Sequence, residues 1–532
     1  MRACGVALAC LLFGVLLPAR QGPGAPRASL GSGTYFDVRA YGAKGDGAAK
    51  DTAAVQAAMD AAAKQGGGTV LVPAGKYLCG TIHLRSNVTL YLEAGATLLE
   101  STDNADFDPY EKLDYPLHED RETTYFHYAL LAGEKVEHIA IVGQGVIDGN
   151  RPGRGGPKPI ALKLCRFVAI RGITIRQAPN YCISLLGTDY VDIDGVTMVD
   201  DYADGIDPDS SRSIRISNCY FDGWDDAIVA KASLALGYKR STENLTVTNC
   251  VLTTNSCYLK FGSESSGDFK NVAFTNTVCY RRPGADPRNL AVVSLESHDG
   301  ANIDGVVISN IVARDVYKPF AITLNTRSHG GFPPVPPGTI RNVAISNFIA
   351  TGASVAAQIT GIPERLIQGV TLKNVTITVR RPRETESEME RFAGGSYRPK
   401  PAYGLVAQHV GDLQMANVQM RWQEEDERPA IILDDVRSSA LEGFRTDTVA
   451  GAGPLLWFRD TVDFLLQGCH LPPNTPLVLR LSGARTSGIH LAGNDFTHAV
   501  RVVESDLDVP AAAIIETGNL QNSRAKSFDG RR

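Results

Sequence analysis

Residues 214–221 read IRISNCYF, and the same arrangement of residue types returns along most of the chain. In each copy apolar and polar residues alternate, an Asn or Gly holds the fifth position, and an apolar residue holds the eighth. Alternation with a period of two predicts a short β-strand that buries one face. The fifth positions are Gly172, Gly195, Asn218, Asn249, Asn276, Asn310, Asn347, Asn374 and Asn417.

The spacing of these copies indicates the architecture. The shortest interval is 23 residues, and later intervals are only longer. About three short strands and three turns fill such an interval, so each copy marks one coil, and stacked coils bury a continuous apolar column. Asn and Gly adopt the left-handed backbone of a tight corner at little cost. We therefore predict a parallel β-helix, because a leucine-rich repeat and a propeller have other consensus patterns and lengths.

The N-terminal third contains the one segment with a persuasive helical pattern. It is Ala-rich and runs from Thr52 to Lys64, and we expect it to cap the open end of the first coil and cover its strand edges. No second hydrophobic pattern interrupts the repeat. We predict a single β-helix domain over residues 34–515, a polar tail over 516–532, and a monomer.

Composition excludes several classes of function. The chain is 43% hydrophobic and 21% charged with a net charge of −5, which is typical of a globular protein and gives no reason to expect nucleic acid as a partner. An apolar run over residues 6–17 follows a single Arg, which predicts a signal peptide over residues 1–22 and a secreted or periplasmic protein without a membrane span. The alternative is a buried N-terminal helix. The other eight cysteines form no CxxC pair, so we predict no metal and no cofactor.

The carboxylates follow the repeat. Asp225 and Asp226 lie 21 and 22 residues after Asp204, close to the 23-residue interval, and stacked coils place such residues about 4.8 Å apart at the backbone. We expect the three carboxylates to form one site in which repulsion raises at least one pKa. Glycoside hydrolysis requires one protonated and one ionised carboxyl group. The neighbouring Asp207 and Asp209 are interpreted as turn residues.

Several ordered motifs carry a resemblance to a known family. The motifs are GQGVIDGN (143–150), QAPNYCISLL (177–186), ADGIDPDSS (203–211), WDDAIVAKAS (224–233) and PAYGLVAQHV (401–410), with FDVRAYGAKGDG and GGGTVLVPAGKYLCG near the N-terminus. By these motifs residues 35 to about 440 resemble glycoside hydrolase family 28, the polygalacturonases and rhamnogalacturonan hydrolases, and the N-terminal part resembles the wider pectate-lyase-like superfamily.

The resemblance implies a right-handed parallel β-helix and an inverting hydrolase of pectic chains. By this similarity Asp225 is the general acid, while Asp204 and Asp226 are the bases that hold the attacking water. Two family motifs are absent. The Gly-His-Gly that supports the acid falls on residues 256–258, with Cys257 at the His, and the Arg-Ile-Lys that grips a substrate carboxylate falls on residues 294–296.

Other residues near the aspartates are candidates for substrate binding. Lys231 and Lys260 are the preferred replacements for the missing cations, and His298 and Arg327 are weaker ones. Glu264 and Glu296 either contact substrate or are solvated edge residues, and an acid-rich subsite would suit a neutral or deoxy sugar such as rhamnose. The partner expected in every case is a pectic oligo- or polysaccharide.

Two alternatives remain open at this point. The first is a β-helix that binds sugar without cleaving it, which the missing His, Arg and Lys favour. The second is a polysaccharide lyase on the same scaffold, whose aspartates would hold calcium. Insertions at 234–242, 280–289 and 327–339 are expected to wall the cleft.

Overall fold

A computed structural model of the chain describes residues 35–521, apart from residue 120 and residues 285–289, 381–388, 392–396 and 400. In this part of the chain the strands stack almost entirely in parallel, coil upon coil. The predicted all-β, right-handed parallel β-helix is confirmed. The predicted signal peptide and residues 522–532 of the predicted tail lie outside the described residues, and so does part of the insertion at 280–289.

Three parallel sheets form the walls of the helix. Strands of the first sheet are Ile82–His83, Ala129–Glu134, Lys158–Lys163, Ile183–Leu186, Ile206–Asp209, Ile228–Ala232, Leu259–Ser265, Val293–Ser297, Phe320–Leu324, Ala357–Thr360, Leu456–Arg459, Thr475–Ser482 and Ala499–Ser505. Strands of the second sheet are Tyr35–Asp37, Gly68–Val72, Val88–Leu92, Glu137–Gly143, Arg166–Arg171, Asp189–Asp194, Arg212–Ser217, Thr242–Thr248, Val462–Gln467, Ser487–Ala492 and Ile514–Thr517.

The third sheet meets the second at the Asn and Gly corner. Its separate strands are Asp46–Lys50, Gly75–Cys79, Ala96–Glu100, Val146–Asp148, Thr174–Arg176, Thr197–Asp201, Tyr220–Gly223, Val251–Thr254 and Arg445–Thr446. Later strands run through a corner without a break: Phe269–Arg281, Asn302–Arg314, Thr339–Ala353, Ile367–Val379, Leu405–Trp422 and Ile431–Glu442. Two small pairs complete the set: Met389–Arg391 with Tyr397–Pro399, and Asp495–Phe496 with Leu520–Gln521.

The core is the apolar column that the repeat predicts. Ile170, Ile193 and Ile216 lie opposite one another on successive strands, and all three are fully buried. Val247 and Phe274 continue the column on the next two strands. Complete burial of such a side chain contributes about 1.5–3 kcal/mol, so the column supplies a large part of the stability.

The corner between the second and third sheets has the predicted left-handed backbone. All nine fifth positions have positive φ, for example 57° at Asn310 and 50° at Asn347. In the later coils the side-chain amide of each Asn donates to the amide oxygen of the Asn one coil earlier, at 2.9–3.0 Å. We call the five residues from Asn276 to Asn417 in this series the asparagine ladder. A second left-handed corner, at Asn244, Asn271 and Asn342 in the second sheet, was not predicted.

The N-terminal helix spans Thr52–Lys64, as predicted, and buries Val55, Ala58, Met59 and Ala62 against the first coil. The other described helices are short: Arg121–Thr124 and the 3-10 turns Val38–Tyr41 and Asn104–Asp106. Within residues 35–521 as described, no helix has the length and apolarity needed to cross a bilayer. The eight cysteines of this part are buried as free thiols.

Candidate active site

Asp204 and Asp226 stand opposite each other on adjacent coils of the first sheet. Each precedes a strand by two residues, and those strands pair with Ile206 opposite Ile228. The backbone N–H of Gly205 donates to the carbonyl oxygen of Asp226 at 2.9 Å, which fixes this register. With Asp225 they form a cluster in which one carboxylate oxygen of each residue lies within 4.8 Å of the others. We call these three residues the aspartate trio.

Asp226 is held as an ionised carboxylate. Its Oδ2 accepts a hydrogen bond from Lys260 Nζ at 2.8 Å, and its Oδ1 accepts from Ser256 Oγ at 2.7 Å and from the backbone N–H of Cys257 at 2.9 Å. Burial alone would raise the pKa of Asp226, but Lys260 and these donors hold it below its usual value. Asp226 therefore suits the role of a base.

Asp204 has the opposite character. It is almost fully buried, and its Oδ2 accepts from Lys231 Nζ at 2.9 Å. Burial raises the pKa of Asp204 well above its usual value, and the nearby carboxylates raise it further against the effect of Lys231. Burial would lower the pKa of Lys231, but Asp204 and Asp207 raise it, so Lys231 remains charged. Asp204 thus carries a proton more readily than Asp226 does.

Asp207 and Asp209 are not the turn residues that the sequence interpretation made them. Both lie inside the strand Ile206–Asp209 and are fully buried. Lys231 Nζ lies 3.5 Å from Asp207, whereas Asp209 accepts from the backbone N–H of Ser233 at 2.8 Å. Burial raises the pKa of Asp207 to about 7 and that of Asp209 to about 6. Asp207 and Asp209 therefore add two further buried carboxyl groups to the strand that follows Asp204.

Asp225 is the most exposed member of the trio, at 27% of its side chain. Its Oδ1 accepts from the backbone N–H of Asp226 at 3.0 Å, and its Oδ2 accepts from Arg154 Nη1. Arg154 follows the strand Val146–Asp148 and also donates from Nε to Glu122 at 3.0 and 3.2 Å. Neither Arg154 nor Glu122 was predicted. The sequence feature that could have indicated them is their position in polar segments between strands. Arg154 lies in the Gly-rich segment 149–157, and Glu122 lies in the charged segment 118–124.

The positions of the missing family motifs do not supply the missing groups. At Cys257 only the backbone contacts Asp226, and burial raises the pKa of its thiol well above the usual value. Ser294 Oγ donates to Glu296 Oε1 at 2.7 Å, so an acid and a hydroxyl stand where the family resemblance implies cations.

The two lysines proposed to grip substrate are engaged elsewhere. Lys231 is 5% exposed, bonded to Asp204, and its Nζ lies 4.0 Å from the centre of the Tyr181 ring. The sequence predicted that Lys231 contacts substrate. In the structure the charge of Lys231 is instead paired with Asp204 and Asp207. Lys260 is 13% exposed and bonded to Asp226. Both lysines therefore position the trio.

The remaining predicted residues lie on the coils that follow the trio. Arg327 donates to both carboxylate oxygens of Asp299 at 2.7 Å and to the backbone oxygen of Ser263. His298 is half-buried, and burial lowers its pKa. Burial would lower the pKa of Arg327, but its bonds to Asp299 and the charges of Asp299, Glu264 and Glu296 raise it.

Loops cover the outer side of the first sheet around the trio. Tyr115 donates to the backbone oxygen of Ala235 at 2.8 Å, which ties the segment 107–119 to the insertion at 234–242. The ring of His118 stacks on His329 with centroids 3.7 Å apart, which ties the same segment to the insertion at 327–339. Trp224, next to Asp225, is 42% exposed. The insertions at 234–242 and 327–339 therefore both contact segment 107–119, a neighbour that was not predicted.

The trio has the arrangement of three oxygen ligands, but its partners do not suit a metal. Asp204, Asp225 and Asp226 are each bonded to a cationic side chain. A divalent ion would have to displace these cations against their repulsion. The chemistry below is therefore derived from the side chains alone.

Comparison with known proteins agrees with this fold. The family profile "Rhamnogalacturonase A/epimerase, pectate lyase-like" matches residues 35–108. A probable polygalacturonase of Vitis vinifera is 27% identical over 374 residues, 63% of this chain and 73% of that protein. An exo-poly-alpha-D-galacturonosidase of Dickeya chrysanthemi is 25% identical over 395 residues, 61% of this chain and 64% of that protein.

Among solved structures, an exopolygalacturonase from Thermotoga maritima superposes with a TM-score of 0.59 at 22% identity, covering 73% of this chain and 91% of that one. The fold is thus a parallel β-helix with a carboxylate centre, and its N-terminal part matches a pectate-lyase-like family. Within that class the chain is similar to glycoside hydrolases named polygalacturonase and exo-poly-alpha-D-galacturonosidase.

Proposed function

We propose that the protein hydrolyses a pectic polysaccharide of the galacturonan or rhamnogalacturonan type. The observation that carries the proposal is the aspartate trio, three carboxylates from adjacent coils within 4.8 Å of one another and held in unlike environments. Two carboxyl groups that differ in their readiness to ionise are the requirement for acid and base catalysis at a glycosidic bond. The relatives named polygalacturonase support the substrate class.

In the proposed reaction Asp225 donates a proton to the glycosidic oxygen as the bond to the anomeric carbon breaks. Asp226, ionised by Lys260 and the Ser256 hydroxyl, accepts a proton from the attacking water. Asp204 helps to hold that water, and the single proton that the water loses goes to Asp226. The assignment of Asp225 as the acid comes from the family resemblance.

The stereochemistry provides a separate test. Acid and base of an inverting pair are typically about 6.5–9.5 Å apart, and those of a retaining pair about 5–5.5 Å. The nearest oxygens of the trio are closer than the inverting range. The proposal, which follows the resemblance, is inversion with the water between Asp204 and Asp226. Proton NMR of the first product shows its anomer, and a retained anomer would instead make one of these aspartates a nucleophile.

The direct experiment is product analysis with polygalacturonate and rhamnogalacturonan as separate substrates. We expect new reducing ends with the wild type and a loss of about 10²–10⁴-fold in kcat for Asp225→Asn. Asp192→Asn is the matched control, because Asp192 is a surface carboxylate bonded to Arg171 and Arg215 on the second sheet. Its kcat should equal that of the wild type.

Other outcomes point to the alternatives. Binding of pectic chains without any release of sugar would favour a non-catalytic sugar-binding β-helix. An unsaturated product that absorbs in the ultraviolet and disappears with a chelator would favour a calcium-dependent lyase. Faster cleavage of rhamnogalacturonan than of polygalacturonate would agree with Glu296 standing at the position of a cation.

Export and a monomeric state are part of the same proposal. The apolar run over residues 6–17 supports a secreted or periplasmic location, and the single column of coils supports a monomer. N-terminal sequencing of exported protein and light scattering test these two statements.

A further inference from the structure

Four cations beside the aspartate trio are each bonded to a carboxylate. Lys231 pairs with Asp204, Lys260 with Asp226, and Arg154 with Asp225, and on the following coils Arg327 pairs with Asp299. A substrate carboxylate that binds one of these four cations must therefore compete with an aspartate for it.

Solvent exposure and attachment to the sheet distinguish Arg154 from the other three cations. The exposed fractions of the side chains are 5% for Lys231, 13% for Lys260, 31% for Arg327 and 42% for Arg154. The lysines belong to strands of the first sheet, and Arg327 is held at both ends of its guanidinium by Asp299 and Ser263. Arg154 belongs to a loop, so a change of partner there leaves the stacked coils in place.

The guanidinium of Arg154 has two separate attachments. Nε and Nη2 donate to Glu122, whereas only Nη1 donates to Asp225. Glu122 Oε1 also accepts a contact of 3.4 Å from Asn180 Nδ2, which gives Glu122 a second partner besides Arg154. The bond to Asp225 can therefore break while Glu122 keeps the guanidinium beside the trio.

Asp225 in its present state is arranged as an acceptor. Its Oδ1 accepts from a backbone N–H and its Oδ2 accepts from Arg154. A general acid must instead carry a proton on one oxygen and present it to the leaving group. Departure of Arg154 frees Oδ2 for this proton.

We propose that Arg154 binds the carboxylate of a substrate uronate and that it exchanges Asp225 for this carboxylate when substrate enters. The proposal rests on the proposed function and names the charged group that it recognises. A uronate carboxylate offers the same acceptor as Asp225, and a guanidinium binds such groups through parallel hydrogen bonds. After the exchange Asp225 takes a proton from solvent at Oδ2, and that proton is the one transferred to the glycosidic oxygen.

This exchange makes a substrate carboxylate part of the activation step. A neutral sugar at the same position cannot draw Arg154 from Asp225, so it leaves the acid as an acceptor. The chain thereby gains selectivity for a uronate although Ser294 and Glu296 replace the cations that the family resemblance implies.

The first test is calorimetric binding of trigalacturonate to the wild type and four variants, which requires no turnover. We expect Arg154→Gln to weaken binding about tenfold and Asp225→Asn to strengthen it about tenfold, because the competitor for Arg154 is weakened. In the double variant Arg154→Gln with Asp225→Asn the gain should vanish. Asp204→Asn is the matched control, since it makes the same substitution at a neighbouring carboxyl group that is bonded to Lys231 and not to Arg154.

Three results would overturn the proposal: equal gains from Asp204→Asn and Asp225→Asn, unchanged binding by Arg154→Gln, or no measurable binding to the wild type. A kinetic test separates this proposal from the proposed function. With the wild type active, Arg154→Gln should raise KM about tenfold for trigalacturonate and leave KM for its methyl ester unchanged, with Arg171→Gln as a surface control. A wild type that binds as described but hydrolyses nothing would refute the proposed function alone.

Discussion

The asparagine ladder and the aspartate trio are both built by stacking side chains of neighbouring coils. In the ladder each amide both donates and accepts, so Asn310 receives from Asn347 and gives to Asn276. In the trio each ionised carboxylate only accepts. Stacking therefore satisfies the ladder internally, whereas the trio needs an external cation for every member.

The difference shows that, of these two features, only the candidate active site needs additional charged residues. Lys231, Lys260 and Arg154 bond to one member of the trio each. The ladder needs no counter-charge and follows the corner over five coils. Substitutions at four positions test how far this contrast holds, taken from the largest expected effect on stability to the smallest.

Lys231→Met should be the most destabilising change. It leaves Asp204 and Asp207 buried without a counter-charge, which costs about 3–5 kcal/mol in the free energy of unfolding. Urea denaturation measures this. Lys270→Met is the control, since Lys270 pairs with Asp268 at the surface and is 43% exposed, and it should cost less than about 1 kcal/mol. Equal losses of unfolding free energy in Lys231→Met and Lys270→Met would mean that the buried ion pair of the site stabilises the fold no more than a surface pair does.

The pH dependence of stability should have a definite sign. The folded-state pKa values of Asp207 and Asp209, about 7 and about 6, exceed their ordinary value of 3.8. Between pH 4 and 7 these two carboxyl groups therefore hold more protons in the folded chain than in the unfolded chain, so their contribution to stability falls as the pH rises. Asp299 acts oppositely. Its pKa of about 2 contributes stability above pH 4 that is lost as the pH falls through about 2.

Asp207→Asn should flatten the decline between pH 4 and 7. A shift of about three units sets an upper limit of about 4 kcal/mol on the effect. Thermal unfolding at half-unit steps of pH measures it, with Asp192→Asn as the control that keeps the wild-type slope. A slope identical to wild type in Asp207→Asn would show that this carboxylate does not titrate in the range.

Asn310→Ala and Asn310→Gly separate two contributions to the ladder. Both remove the hydrogen bonds to Asn276 and Asn347, but Gly tolerates the φ of 57° and Ala does not. We expect Ala to cost about 1–2 kcal/mol more than Gly in urea denaturation. Equal losses would mean that the amide bonds, and not the left-handed corner, explain the preference for Asn.

Arg341→Gln should have the smallest effect. Arg341 bonds to Asp304 at 2.7 and 2.9 Å on the outer face, where its side chain is 61% exposed. Exposed pairs of this kind contribute about 0.2–1 kcal/mol, and salt weakens them. Denaturation at low and high salt checks this value. A loss above about 2 kcal/mol in the free energy of unfolding would mean that a surface carboxylate depends on its cation as strongly as the trio does.

The periodic part of the molecule could be predicted from the sequence, because one interval fixes both the column and the corner. That interval also brought Asp204 beside Asp226. Arg154 and Glu122 could not be found this way, since they come from segments between strands that follow no period. Asp207 was misread because loops bury the outer face of the strand Ile206–Asp209 as completely as the inner one. Alternation then no longer distinguishes a buried acid from an exposed one.

The unequal spacing of the asparagines has a consequence for evolution and for engineering. Intervals grow from 23 to as many as 43 residues, yet every Asn returns to the same corner with the same backbone conformation. The strands and corners of each coil thus keep their conformation, while the segments that connect them vary in length. Exchange of the segments at 234–242 or 327–339 between relatives should retune which saccharide is accepted while the reacting carboxyl groups keep their places.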